Sequence, residues 1–135
     1  METVLGFDYG RCRIGVAVGQ TITGTGSPLA TIKADQGKPD WQAVERLINE
    51  WRPTLFVVGM PKNMDGSAHQ LTATITRFGN QLHGRYGLPV HYVDERLSSQ
   101  EAERSLRPGQ AKKDKGVIDR VAAQLILQTW LDQNR

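Results

Sequence analysis

The sequence contains one cysteine, Cys12, and no apolar run near the ~18 residues that a membrane span needs. A single cysteine cannot form an internal disulfide, which excludes the disulfide-stabilised secreted classes and is typical of a reducing compartment. The N-terminus also lacks the charged segment and apolar segment of a secretory signal. We therefore expect a cytoplasmic protein that has no membrane segment.

Local signatures of several enzyme classes are missing as well. The sequence has no phosphate loop ending in Gly-Lys-Thr/Ser and no Gly-x-Gly-x-x-Gly pattern, which excludes the common nucleotide-binding loops. The three histidines, His69, His83 and His91, are widely spaced and do not have the spacing of zinc ligands. Any catalytic chemistry must therefore come from other residue types.

The chain has 135 residues, of which 39% are hydrophobic and 23% charged, and we expect one domain over residues 1–135. Its net charge of +3 is unevenly distributed. Residues 1–67 hold seven basic and seven acidic side chains, whereas residues 68–135 hold ten and seven. The whole basic excess therefore lies in the second half of the chain.

Most of this excess forms one cluster near the C-terminus, which consists of Arg104, Arg107, Lys112, Lys113, Lys115 and Arg120. Only Asp114 and Asp119 oppose it within the same segment. Such a cluster is typical of a surface that binds a polyanion such as nucleic acid. Charge alone leaves a solvated surface loop as the alternative.

The apolar pattern predicts elements in the order β-β-β-α-β-α-β-α-α. Short runs rich in Val, Ile and Leu predict strands at about 3–8, 14–18, 29–33, 55–58 and 88–93. Helical spacing and capping signals predict helices at about 41–51, 67–82, 98–107 and 117–131. Three strands in a meander followed by alternating strands and helices imply a mixed α/β sheet with helices on its faces.

Three acidic residues occupy positions that solvation does not easily explain. Asp8 and Glu95 each follow a predicted strand, at the edge where α/β sheets place ligands and catalytic groups. Asp119 shares the apolar face of the last helix with Ala122 and Ile126, where an uncompensated charge is costly. Three converging carboxylates would repel one another unless a divalent cation lay between them, and oxygen ligands suit Mg²⁺ or Mn²⁺.

Each of these acids also has a structural interpretation. Asp8 could open the turn into the next strand, and Glu95 could be a charge at the entry to a helix. Asp119 could complement the helix dipole from the first turn. Two further acids stay open: Asp65 precedes a glycine, which favours a turn, and Asp94 adjoins Glu95, so that only one of the two is expected to face a shared site.

Four motifs, in this order along nearly the whole chain, resemble the YqgF family of pre-16S rRNA nucleases, also described as Holliday-junction-resolvase-like. They are Phe7-Asp8-Tyr9-Gly10 with Arg13-Ile14-Gly15-Val16-Ala17, Val58-Gly59-Met60-Pro61 with Asn63-Met64-Asp65-Gly66, Asp94-Glu95-Arg96-Leu97-Ser98, and Lys112-Lys113-Asp114-Lys115-Gly116 with Ile118-Asp119 and Ala122-Ala123. The resemblance implies an RNase H-like α/β fold with a mixed five-stranded sheet. That sheet would comprise a three-strand antiparallel meander and two parallel strands, with helices on both faces.

The resemblance also implies that Asp8, Glu95 and Asp119 are the catalytic and metal-binding triad, and it selects Glu95 over Asp94. The expected activity is endonucleolytic hydrolysis of phosphodiester bonds with two Mg²⁺ or Mn²⁺ ions. Arg96 and the basic cluster would contact phosphates outside the scissile one, with little sequence information.

The family description favours processing of the 5′ end of precursor 16S rRNA in ribosome biogenesis, with the ribosome as a possible platform. Resolution of four-way DNA junctions uses the same chemistry and is the main alternative. A junction resolvase needs two active sites related by a dyad, whereas we expect a monomer or a weak homodimer.

Two further functions stay open from the residues. Asp8-Tyr9-Gly10 also resembles the first phosphate motif of the actin and sugar-kinase superfamily, but those proteins need a second such domain, which 135 residues cannot supply. The other alternative is a non-catalytic nucleic-acid-binding module, in which the acids are structural and the lysines bind.

Overall fold

A computed structural model describes residues 2–61, 71–94 and 116–134, which form one six-stranded sheet and three helices. The strands are β1 Thr3–Asp8, β2 Arg13–Gln20, β3 Thr25–Asp35, β4 Lys38–Pro39, β5 Leu55–Met60 and β6 Val90–Asp94. The helices are α1 Trp41–Trp51, α2 Thr72–Tyr86 and α3 Gly116–Gln133. The predicted helix at 98–107 lies outside the described residues.

The strands lie in the order β4-β3-β2-β1-β5-β6. Strands β1 to β4 pair antiparallel in sequence order, whereas β5 and β6 continue the sheet from β1 in parallel. The antiparallel meander and the two parallel strands are therefore confirmed. The carboxyl ends of β1, β5 and β6 consequently lie at one edge of the sheet.

The predicted count of five strands is wrong, because the structure adds the short strand β4 after a tight turn at Gln36 and Gly37. Both turn residues have positive φ, at 50° and 83°, which is the geometry of a two-residue hairpin turn. The prediction missed this turn because its first residue is glutamine rather than the asparagine or aspartate typical of that position.

Strand β3 also begins four residues earlier than predicted, at Thr25. Gln128 of α3 accepts a hydrogen bond from the backbone N–H of Gly26 and donates one to the carbonyl of Gly24. These contacts hold the start of β3 against the helix across more than 100 positions of sequence. Pro28 is tolerated there because it lies at a break in the register between β2 and β3, beyond the short reach of β4.

Helices cover both faces of the sheet, as predicted. We call them the α1/α2 face and the α3 face. The core of the α1/α2 face is centred on Phe7, Phe56 and Phe78, whose rings meet edge to face at 5.6–5.8 Å between centroids. The core of the α3 face contains Ala123, Ile126, Leu127 and Leu131 of the helix. None of the helices in the described segments is long and apolar enough to span a membrane.

Candidate active site

Asp8 is the last residue of β1, and the pleat of that strand directs it to the α3 face. Val4 belongs to the core of the α3 face, whereas Leu5 and Phe7 belong to the core of the α1/α2 face. A β-carbon at Gly6 would lie 2.9 Å from the β-carbon of Leu127 in α3. Asp8 is next in the same alternation as Val4 and Gly6, at the carboxyl end of the parallel strands.

Gly15 lies next to both Asp8 and Asp119. It is the residue opposite Asp8 in the antiparallel pair of β1 and β2. A β-carbon at Gly15 would overlap the backbone carbonyl of Asp119 in the first turn of α3. Only a residue without a side chain lets the helix lie this close to the strand. Asp8 and Asp119 therefore neighbour the same glycine on the same face of the sheet.

Asp119 is held by an ion pair with Arg13 of β2. The Nε atom of Arg13 donates to Oδ2 of Asp119 at 2.8 Å. The hydrogen bond, together with the negative charge of Asp119, raises the pKa of the Arg13 guanidinium above its usual value. The two side chains are 44% and 20% exposed, so the pair lies at the rim of the site and is open to water. Arg13 thus fixes the orientation of the Asp119 carboxylate.

Asp119 lies in the first turn of α3, so its charge also complements the positive end of the helix dipole. The structural interpretation of Asp119 therefore describes its position correctly. It does not account for the close approach of the Asp119 backbone to Gly15 or for the partly buried location of Asp119 beside β2. Ala122, Ala123 and Ile126, which were expected on the inward face with Asp119, are buried.

The start of α3 is anchored to β3 through Thr31, the register partner of Gly15. Thr31 Oγ1 donates to the carbonyl oxygen of Gly116 at 3.0 Å, and Nη1 of Arg120 donates to the same Oγ1 at 3.0 Å. Arg120, which we predicted to bind nucleic acid, therefore also fastens the helix to the sheet. Its predicted contact with a phosphate stays a prediction.

The third predicted ligand, Glu95, lies outside the described residues, as do Asp65 and the predicted nucleic-acid-binding residues Arg96, Arg104, Arg107, Lys112, Lys113 and Lys115. Asp94 is the last residue of β6. Val93 belongs to the core of the α3 face, so the pleat directs Asp94 to the opposite face, away from Asp8. Among the residues the structure covers, no three His, Cys, Asp or Glu side chains form a metal-binding group.

The donor set at this edge nevertheless fits a hard divalent cation. Asp8 and Asp119 supply only carboxylate oxygens, which suit Mg²⁺ or Mn²⁺ rather than zinc. Asp119 already binds a cationic group, the guanidinium of Arg13. The histidines offer no competing site in the part of the chain that is described, because His83 contacts the carbonyl of Leu88 and His91 contacts the ring of Trp130.

Sequence reasoning missed the roles of Arg13 and Gly15. The ion pair joins residues 106 positions apart, and no local pattern indicates such a contact. Gly15 did carry a signal, because an isolated glycine inside an apolar strand often marks a close approach of another backbone.

Known proteins of one family match this chain along nearly its full length. Residues 2–133 match the model of the RuvX family, described as Holliday junction resolvase. A protein of Aeromonas salmonicida (strain A449) is 49% identical over 134 residues, which cover 98% of this chain and 96% of that protein. A protein of Yersinia pestis (strain Pestoides F) is 50% identical with the same coverage. Both bear the name "Putative pre-16S rRNA nuclease".

Solved structures with the same fold include two resolvases. RuvC of T. thermophilus, in complex with a Holliday junction substrate, aligns with a TM-score of 0.52 at 16% identity, over 99% of this chain and 96% of that one. The Fowlpox virus resolvase, in complex with Holliday junction DNA, aligns with a TM-score of 0.56 at 10% identity, over 98% of each chain. At these identities the likeness shows the fold, which is the expected RNase H-like one.

Proposed function

We propose a reaction and a substrate for this protein. The chain belongs to the RuvX family, described as Holliday junction resolvase, and is a nuclease. The proposed reaction is metal-dependent endonucleolytic hydrolysis of phosphodiester bonds at the carboxyl end of β1. The observation that carries it is the approach of Asp119 to Gly15, the strand partner of Asp8, which places two carboxylates at one edge of the sheet.

In this proposal Asp8 and Asp119 hold the cations, and Glu95 completes the set. Two bound Mg²⁺ or Mn²⁺ ions would supply an activated water and would stabilise the leaving oxygen of the scissile phosphate. Arg13 orients Asp119 and adds positive charge beside it. Gly15, the strand partner of Asp8, lets the first turn of α3 lie directly against β2 and so permits the close position of the Asp119 backbone.

The favoured substrate is the 5′ end of precursor 16S rRNA, in the cytoplasm and with the ribosome as a possible platform. The names of the relatives that are about 50% identical over almost the full chain support this choice. Arg96 and the basic cluster, which includes Arg120, would contact phosphates outside the scissile one. That contact would add affinity that weakens with salt.

Resolution of four-way DNA junctions is the second candidate, favoured by the family model and by the shared fold. It requires two active sites related by a dyad, because both strands of a junction are cut symmetrically. We propose that the chain is a monomer or a weak homodimer, which favours the RNA substrate.

A side-by-side cleavage assay tests the proposed function. Purified protein is incubated with precursor 16S rRNA carrying its 5′ extension, a four-way DNA junction, and single-stranded RNA and DNA controls, each with Mn²⁺ or with EDTA. We expect cleavage of the precursor rRNA in Mn²⁺ and none in EDTA, because the site contributes metal ligands and no nucleophile of its own.

The outcomes separate the alternatives. Paired, symmetric cuts in the junction combined with a stable dimer in solution would replace the RNA proposal by resolution. Cleavage that persists in EDTA would contradict the metal-dependent reaction. Failure to cut any of these substrates in Mn²⁺ would overturn the hydrolytic function.

A further inference from the structure

A cavity between the described residues lies beside the candidate site but on the other face of the sheet. It has a volume of about 1040 Å³. Its walls are the β1–β2 turn, the β3–β4 hairpin, the start of α1 and one side of α2. Neither Asp8 nor Asp119 is among its described lining residues, so their proposed reaction does not account for it. We call this cavity the basic cleft.

Three cationic side chains line the basic cleft, Arg11, Lys38 and Arg77, and all three are exposed. Asp35 is the one carboxylate among the lining residues that the structure describes. Across residues 2–61, 71–94 and 116–134, no carboxylate lies within ion-pair distance of any of the three cations. Three cations against one carboxylate leave the described lining with an excess of two positive charges, which attracts an anionic ligand.

Two of these cations, Arg11 and Arg77, line the cleft together with Tyr9, whose side chain is largely buried. Burial raises the pKa of Tyr9, whereas the positive charges of Arg11 and Arg77 act on it in the opposite direction. Arg11 comes from the β1–β2 turn and Arg77 from α2, so the two side chains line the cleft from separate walls. We call this pair the clamp.

Hydrogen bonds to backbone carbonyl groups join the two segments that form one wall of the basic cleft. Tyr9 donates its hydroxyl to the carbonyl of Gly37 at 2.7 Å, and the N–H of Gly37 donates to the carbonyl of Arg11 at 2.9 Å. The N–H of Ala34 donates to the carbonyl of Cys12 at 2.9 Å. The β1–β2 turn and the β3–β4 hairpin are therefore one rigid wall, which is preorganised for binding.

The other wall carries a polar stripe along α2. Arg77, Gln81 and Arg85 are spaced four residues apart, so they lie on one side of the helix. They extend over about 12 Å along the helix, and Arg77 and Gln81 line the cleft. Arg85 lies 4.2 Å above the ring of Trp41, which also contacts Phe78. The Trp41 ring is thus occupied, which favours recognition by charge over base stacking.

The same turn serves both the basic cleft and the candidate active site. Arg11 lines the cleft on the α1/α2 face, whereas Arg13, two residues later, reaches Asp119 on the α3 face. At the end of β1, Asp8 likewise lies on the α3 face, whereas Tyr9 lies on the α1/α2 face. A strand that crosses the carboxyl edge of the sheet could therefore contact both places within a few nucleotides.

We propose that the basic cleft binds the sugar-phosphate backbone of the single-stranded segment that flanks the scissile phosphate. This inference rests on the proposed nuclease function and adds a second, metal-free contact to it. The cavity has room for a few nucleotides of one strand, whereas a nucleic-acid duplex is too broad to enter. The contact carries no sequence information, since it uses charge.

The test removes the two arms of the clamp with Arg11→Gln and Arg77→Gln together. The matched control removes two exposed charges that do not line the cleft, one in α1 and one at its C-cap, with Arg46→Gln and Arg52→Asn. Arg52 has φ 48° at the helix C-cap, a conformation that asparagine tolerates. Binding of a fluorescein-labelled single-stranded RNA is measured by anisotropy in EDTA, over about 50–200 mM salt. Thermal unfolding confirms that both pairs fold.

We expect the cleft pair to bind the single strand about tenfold more weakly than wild type. The slope of log K against log salt should become shallower by about 1.4, since each phosphate contact to a single strand contributes about 0.7. The control pair should keep the wild-type slope. Binding is measured in EDTA, without the cation that the proposed reaction needs, so a failure of the cleavage reaction remains distinct from a failure of the cleft.

Two results would overturn the inference. One is a cleft pair whose affinity and salt slope equal those of wild type or of the control pair. The other is an equal loss of affinity for a blunt RNA duplex of the same sequence, which would show that the charges act at long range and not on a strand inside the cleft.

Discussion

Asp8→Asn should reduce Mn²⁺-dependent cleavage by about 10³-fold or more while leaving the fold intact. Asparagine keeps the size of the side chain but removes the negative charge that holds a divalent cation, and metal assistance is worth several kcal/mol to phosphodiester hydrolysis. Asp8 ends a strand and is only partly buried, so the loss of its charge should change the unfolding temperature little. Single-turnover cleavage and thermal unfolding measure the two effects.

Asp94→Asn is the matched control, because Asp94 also ends a parallel strand at the same edge of the sheet. Its strand directs it to the opposite face, so its cleavage rate should stay within about twofold of wild type. The reverse result, with Asp94→Asn inactive and Asp8→Asn active, would place the reaction on the α1/α2 face and contradict the proposed site.

Gly15→Ala should destabilise the protein by about 3 kcal/mol and lower its unfolding temperature by roughly 10 °C. The added methyl group would meet the backbone of Asp119 rather than a flexible side-chain end, so α3 must shift as a unit. Cleavage by the folded fraction should fall as well, because the shift moves Asp119 away from Asp8. Thermal unfolding and cleavage at 25 °C, with wild type alongside, provide both readouts.

Gly84→Ala controls for the chemistry of the substitution. Gly84 lies in α2, and nothing would lie within 4 Å of its added β-carbon. Alanine is favoured over glycine in a helix by about 0.5–1 kcal/mol, so this variant should be slightly more stable than wild type. A Gly15→Ala protein as stable and as active as Gly84→Ala would show that the helix does not depend on this close approach.

The fold was predictable from the sequence wherever the apolar pattern within one strand or helix was enough to indicate that element. The run from Leu55 to Val58 predicted a strand, and the helical spacing from Trp41 to Trp51 predicted a helix, and the structure has both. The early start of β3 was not predictable, because it depends on Gln128 more than 100 positions away. Local patterns report the preference of a segment and not the partners it meets in the fold.

The candidate site was predictable to a smaller extent. Strand ends and an acid on an apolar helix face indicated Asp8 and Asp119, and the structure places both beside Gly15. The ion pair of Arg13 and the clamp of the basic cleft depend on side chains that come from separate elements. No spacing in the sequence connects Arg11 of a turn with Arg77 of α2, so such charge clusters emerge only in three dimensions.

The most direct test of the metal-dependent nuclease is the position of a bound cation. Crystals of wild type and of Asp8→Asn are soaked in Mn²⁺, and anomalous scattering is recorded at the manganese absorption edge. The account predicts a manganese peak on the α3 face between Asp8 and Asp119 in wild type, and its loss in Asp8→Asn. A peak elsewhere, or a peak that survives the substitution unchanged, would contradict the central claim that these carboxylates hold the catalytic metal.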